Sequence, residues 1–112
     1  MELSIDRTDN GVVVVAVSGE IDMNTSPEVR SVLSPLFTEK PRALVVDLSE
    51  VNYMDSSGIA TLVEGLQWSH RSEIPFRLSG MTAAVKDVFE MARLESLFEI
   101  FESREAALQD LV

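Results

Sequence analysis

The stretch Asp55-Ser56-Ser57-Gly58 is where this 112-residue chain places side chains that could do chemistry. Two hydroxyls follow a carboxylate and precede a glycine, at a point where an apolar strand pattern gives way to a helical one. One reading is structural: Asp55 or Ser56 caps the helix, its side-chain oxygen accepting from one of the unpaired N–H groups of the first turn. The other is functional: an exposed hydroxyl at a helix start, with Gly58 leaving room for an approaching partner, is a phosphate acceptor. Phosphorylation there would add about −1.5 to −2 charges beside Asp55. Free N–H groups and the positive end of the helix dipole would accommodate that charge, so binding should change and the fold should not.

The elements around this segment follow from periodicity. Leu3, Ile5 and Arg7 alternate with polar residues, Asp9-Asn10-Gly11 is turn chemistry, and Val12 to Val17 is a mostly β-branched run. This predicts an opening hairpin with an edge strand first and, second, a strand covered on both sides or lying centrally in the sheet. Ser26-Pro27-Glu28 predicts a helix start, Ser26 as cap, with Val29, Val32, Leu33 and Leu36 on its buried face and Pro35 bending or shortening its end. Ala43 to Leu48 reads as a buried strand. Ser57 to His70 reads as an amphipathic helix, Phe76 to Leu78 as a short strand, and Thr82 to about Ala92 as a helix with Val85, Val88, Phe89 and Ala92 inward. A short apolar stretch, Leu97 to Phe101, and a terminal helix from about Arg104 to Leu111 complete the chain. Strands alternating with helices after a hairpin predict a single α/β domain over 1–112, its mixed sheet of four to five strands carrying about four helices mainly on one face.

On a helical wheel begun at Ile59, Leu62, Val63, Leu66 and His70 fall inward, and Ser57, Thr61, Glu64 and Trp68 fall on the opposite side. An aromatic on an outer face continuous with Ser56 is a candidate binding anchor, unless a loop or neighbouring helix covers it. His70, the one histidine, is expected to pack or cap the helix end.

Other chemistries lack their parts. A serine nucleophile needs a base and oxyanion donors, and there is no Gly-x-Ser-x-Gly elbow. A phosphoaspartate site at Asp47 needs a carboxylate cluster for Mg²⁺; the first strand is followed by a hairpin, and Asp47 is expected to support the strand-to-helix connection instead. No Gly-x-x-x-x-Gly-Lys loop grips a nucleotide, so the chain is expected to be a kinase substrate and no enzyme.

Composition narrows the partners. With 19 acidic and 9 basic residues the net charge is −10, which opposes direct nucleic-acid binding and favours a protein partner with a basic surface. No apolar run approaches the roughly 18 to 20 residues of a membrane span, and the start lacks a signal-peptide layout. Without cysteine there are no disulfides or thiolate metal sites. A cytoplasmic protein without cofactors is expected.

Several separated segments resemble the STAS family, in particular its bacterial anti-sigma factor antagonists. They are Asp47-Leu48 followed by Met54-Asp55-Ser56-Ser57-Gly58, Gly19-Glu20-Ile21-Asp22 ahead of the first helix, and Ala84 to Met91 with Leu94 and Leu97-Phe98. The resemblance spans essentially the whole chain. It implies a mixed sheet with helices mainly on one side, and partner switching. The unphosphorylated protein would bind an anti-sigma factor that is also a serine kinase, freeing a sigma factor. Phosphorylation of Ser56 would break that complex and a serine phosphatase would restore it. Asp55 and Gly58 match the motif's flanking positions; Glu20 and Asp22 match a region near the family's partner surface. With Ser57, Thr61, Glu64 and Trp68 these form the expected partner-binding set. The same resemblance also admits a stand-alone STAS regulatory subunit of a transporter or a stress-signalling assembly.

Overall fold

Gly11, at φ 87°, closes the turn between the first two strands, where the Thr8 N–H donates to Val12 O and the Gly11 N–H to Thr8 O. A positive φ at this position is the conformation glycine adopts without penalty. The computed structural model describes residues 1–111. Its elements are β1 (Glu2–Arg7), β2 (Val12–Ile21), α1 (Ser26–Thr38), β3 (Ala43–Met54), α2 (Ser56–Ser72), β4 (Phe76–Ser79), α3 (Ala83–Ala92), β5 (Glu99–Phe101) and α4 (Arg104–Leu108). Short 3₁₀ turns occupy Glu95–Leu97 and Gln109–Leu111. The five strands lie in the order β1-β2-β3-β4-β5, with β1 antiparallel to β2 and every later pair parallel. The sheet is mixed, as expected.

The valine run explains the layering. Val13, Val15 and Val17 point into a large core with Val29 and Leu33 of α1, Leu62 of α2 and Phe89 of α3. Val12 and Val14 point the other way, into a small core with Ala43, Val45 and, from the C-terminal segment, Ala107 and Leu111. Side chains alternate across a strand, so a continuous apolar run requires cover on both faces. Three helices supply it on one side and α4 on the other.

Several local expectations change. Strand β3 runs to Met54, well past Leu48, because β2 continues beside it as far as Ile21↔Met54. Ser26 is buried inside α1 and does not cap it; Thr25 holds the cap position, and Pro35 lies within a helix that continues to Thr38. Ala92 is exposed, which leaves Val85 and Phe89 as the buried residues of α3. Leu97 is exposed, and the last strand begins at Glu99.

Candidate functional site

Strands β2 and β3 end together, and this shared end builds the site. The Asp55 N–H donates to Ile21 O at 3.2 Å, tying the start of α2 to the end of β2. Asp55, in extended backbone at φ −110°, is the N-cap of α2. Its Oδ1 accepts from the Ser57 N–H at 2.9 Å and from the Ser57 hydroxyl at 2.5 Å. These bonds, the Ser57 hydroxyl first, hold the Asp55 carboxyl below its usual range despite some burial, so it is a carboxylate in the folded protein. Ser57 is thereby committed to the cap. Ser56, one residue earlier, is exposed, and the bonds that fix the cap do not use its hydroxyl.

The β2–α1 loop forms the other wall. Asp22 Oδ1 accepts from the N–H groups of Asn24 at 2.9 Å and Thr25 at 3.1 Å, and the Thr25 hydroxyl donates to Glu20 O at 2.8 Å. Asp22 therefore shapes the loop, and Glu20 is exposed at its base opposite Tyr53 of β3. Two large apolar side chains stand open at this end: Met23 is 77% exposed and Tyr53 47%. The sequence reading missed both. An apolar residue between Asp22 and Asn24 in a polar turn was the available signal for Met23.

Gly58 has a different use from the one expected. A Cβ there would come within 2.6 Å of Met54 Cγ and 2.9 Å of Ile21 Cγ2, so the glycine lets α2 press against the ends of β2 and β3. It leaves no opening for a partner. Gly65 repeats this contact two turns later against the ring of Phe76. The two glycines set the inward line of α2 along Gly58, Thr61, Leu62, Gly65 and Ser69, all buried.

Leu62 is buried and Val63 and Leu66 pack against the core, as the wheel expects, but its outer face changes. Thr61 is buried and its hydroxyl donates to Ser57 O at 3.1 Å. Glu64 accepts from Arg30 of α1 at 2.8 Å. Trp68 is half-buried, its ring edge-on to Phe37 of α1 with centroids 6.0 Å apart. Of the expected outer face, Thr61 is buried and Glu64 and Trp68 meet α1, so it does not extend the Ser56 surface. His70 is exposed, and lies 14 residues beyond Ser56, about 21 Å along the helix axis.

Asp47 also differs from expectation. Its Oδ1 accepts from the Ser49 N–H at 3.0 Å and its Oδ2 from Arg104 Nε at 3.0 Å. It anchors α4 to the far side of the sheet and makes no bond to the α2 connection. Arg104 also donates to Asp6 at 2.9 Å, so one cation links β1, β3 and α4.

The mixed sheet with helices mainly on one side is the fold the STAS resemblance implies, and a STAS domain model matches residues 5–107. The chain belongs to the STAS family. This STAS chain is 31% identical over 106 residues to the anti-sigma-B factor antagonist of Staphylococcus aureus (strain NCTC 8325 / PS 47), covering 94% of this chain and 98% of that protein. It superposes on an anti-sigma factor antagonist from Mycobacterium paratuberculosis with a TM-score of 0.85 at 27% identity, over 97% of this chain and 92% of the other. The Bacillus anti-sigma factor antagonist SpoIIAA in its unphosphorylated form shares the fold, with a TM-score of 0.83 at 17% identity over 98% and 96% of the two chains. Within the described residues of this STAS chain, no helix is long and apolar enough to cross a membrane.

Proposed function

We propose that this STAS chain is an anti-sigma factor antagonist switched by phosphorylation of Ser56. In its unphosphorylated form it binds an anti-sigma factor that is also a serine kinase, so that a sigma factor is released. The kinase transfers the γ-phosphoryl group of ATP to Ser56 Oγ, the hydroxyl proton leaves to a base on the kinase, and ADP departs. A serine phosphatase reverses the modification. The observation that carries this reading is the division of labour in the cap: Ser57 is tied to Asp55, and Ser56 is exposed beside it. The names of the relatives support the antagonist part of this reading.

The surface around Ser56 supplies both affinity and the switch. Met23 and Tyr53 offer apolar contact area, and Glu20, Asp22 and Asp55 place negative charge at the same end as the acceptor. A partner that matches it has an apolar centre and a basic rim. Phosphate at Ser56 would be tolerated by the helix dipole of α2 and rejected by a closely packed partner, which would have to desolvate it beside carboxylates. Binding is thus abolished without unfolding.

The test is to incubate the protein with candidate anti-sigma kinases and Mg-ATP and to map the phosphopeptide. Phosphate on Ser56, absent in Ser56→Ala, is expected; phosphate confined to Ser57 would reject the assignment. Complex formation should survive Ser56→Ala and be lost in Ser56→Asp. Recovery of transporter ATPase subunits from lysate in place of any anti-sigma kinase would overturn the function.

A further inference from the structure

We propose that the groove between the C-terminal ends of α1 and α2 binds a small amphipathic anion: a flat apolar body bearing one carboxylate or phosphate. The groove, open to solvent, has a volume of about 520 Å³ and is lined by Phe37 and Trp68, by the cations Lys40 and Arg71, and by Ser34 and Ser72 among its hydroxyls. It is a separate site from Ser56. Trp68 lies 12 residues further along α2, about 18 Å along the axis.

Charge is the first argument. The chain carries 19 carboxylates to 9 cations, yet none of the residues lining this groove is acidic. The ion pairs of the described residues use Arg7, Arg30, Arg77 and Arg104, so Lys40 and Arg71 face the groove without a carboxylate partner. The negative end of a helix dipole favours a nearby cation, which accounts for a positive side chain at each helix end. Because both helix ends border the same groove, the two cations line it together. Backbone N–H groups already close on some of the terminal carbonyls: those of Glu39 and Lys40 on Leu36 and Phe37, and those of Glu73 and Ile74 on Ser69.

Shape and surface are the second argument. Small-molecule sites are concavities of roughly 300 to 1,000 Å³, mostly apolar, with a few convergent polar groups that fix orientation. Here the half-buried face of Trp68, held edge-on by Phe37, supplies a rigid wall, and the two cations supply the orienting charge. An aromatic ring in the ligand stacks on such a wall, and its anionic group reaches Lys40 or Arg71, the guanidinium taking a carboxylate or phosphate bidentately. A groove of this size has room for such a molecule.

Trp68 is the sole tryptophan of the chain, so its fluorescence reports on the groove alone. The full chain is titrated with 3-phenylpropionate, with phenyl phosphate, and with the neutral 3-phenylpropanol. Saturable emission changes with both anions are expected, at roughly millimolar affinity as befits fragments of this size. The affinity should fall about tenfold or more in Arg71→Glu and in Lys40→Glu, and should fall with added salt. Far-UV circular dichroism and the melting temperature of each variant verify that it is folded; Arg71→Gln serves in place of any variant that is not. Equal responses to 3-phenylpropanol and 3-phenylpropionate, insensitivity to both charge changes, or the absence of saturation would overturn the proposal. So would binding of an acidic peptide such as polyglutamate with none of the small anions.

Discussion

Ser56 and Ser57 carry the same side chain and differ only in what surrounds it. The Ser57 hydroxyl lies 2.5 Å from Asp55 Oδ1 and keeps that carboxyl charged; the Ser56 hydroxyl stands outside this cap. The depressed pKa of Asp55 makes the cap a pH-dependent source of stability. A depressed carboxyl contributes fully above its unfolded-state pKa and loses the contribution as pH falls through the lower native value. Ser57→Ala removes the first cause of that depression, so Asp55 should titrate at higher pH, which carboxyl-carbon NMR reads directly. The stability deficit of this variant should be largest above the ordinary carboxylate range and shrink as acid protonates Asp55 in both proteins. A deficit that does not change with pH would show that Ser57 acts through packing instead. Gly58→Ala should cost about 1–3 kcal/mol in chemical denaturation, because the added methyl meets Met54 and the β-branched, buried Ile21. Equal stability would mean that α2 can move outward at no cost.

At the level of elements, two attachments hold helices by polar contacts of very different weight. Arg30 and Glu64 join α1 to α2 at 2.8 Å, with side chains 58% and 36% exposed. Exposed pairs of this kind contribute about 0–1 kcal/mol, so Arg30→Ala should be close to neutral. Arg77 of β4 is 7% exposed; its Nη1 donates to Ala107 O at 2.7 Å and to Asp110 at 2.6 Å, and its guanidinium carbon lies 4.9 Å from the ring centroid of Phe101. Arg77→Ala would leave the end of α4 unfastened, and a loss of roughly 1–3 kcal/mol is expected, with amide exchange rising first in α4. The element order and the apolar character of both faces of β2 were legible in the sequence, since side-chain alternation and helical periodicity report directly on which faces are apolar; that both faces are covered, rather than β2 merely lying centrally in the sheet, needed the structure. The rotation of α2 was not. A hydrophobic wheel weighs side chains, and the residues that bring this helix onto the sheet, Gly58 and Gly65, have none. Once they define the inward line, Thr61 is buried, His70 turns out to solvent, and Trp68 joins the seam with α1. The Asp47–Arg104 contact was equally hidden, because it spans 57 residues and no local pattern reports it. The acceptor motif itself was readable as a cap. That Asp55 alone is the cap, and that Ser57 serves it, needed the geometry.

For the molecule as a whole, the proposed switch separates binding from folding. The chain carries a net charge of −10, and the end that presents Ser56 also presents Glu20, Asp22 and Asp55. A basic partner is drawn to this end over a distance of several ångströms, so association of the unphosphorylated protein should slow steeply with ionic strength, about tenfold or more between low and high salt, with a weaker effect on dissociation. Stopped-flow measurement across a salt series distinguishes this from a purely apolar interface, whose association rate would be flat. Phosphate at Ser56 increases the long-range attraction to a basic rim, yet the proposal requires the complex to fail. Repulsion at a distance therefore cannot be the cause; the failure has to arise at contact, where the phosphate must lose water among carboxylates and occupy space the partner needs. The consequence is specific. Ser56→Asp should retain the melting temperature and denaturant slope of the native protein within about 0.5 kcal/mol, because an anion at the first turn of α2 suits the helix dipole. It should lose affinity mainly through faster dissociation, with encounter little changed. A Ser56→Asp protein that loses stability along with binding would place the effect in the fold and remove the basis for a switch.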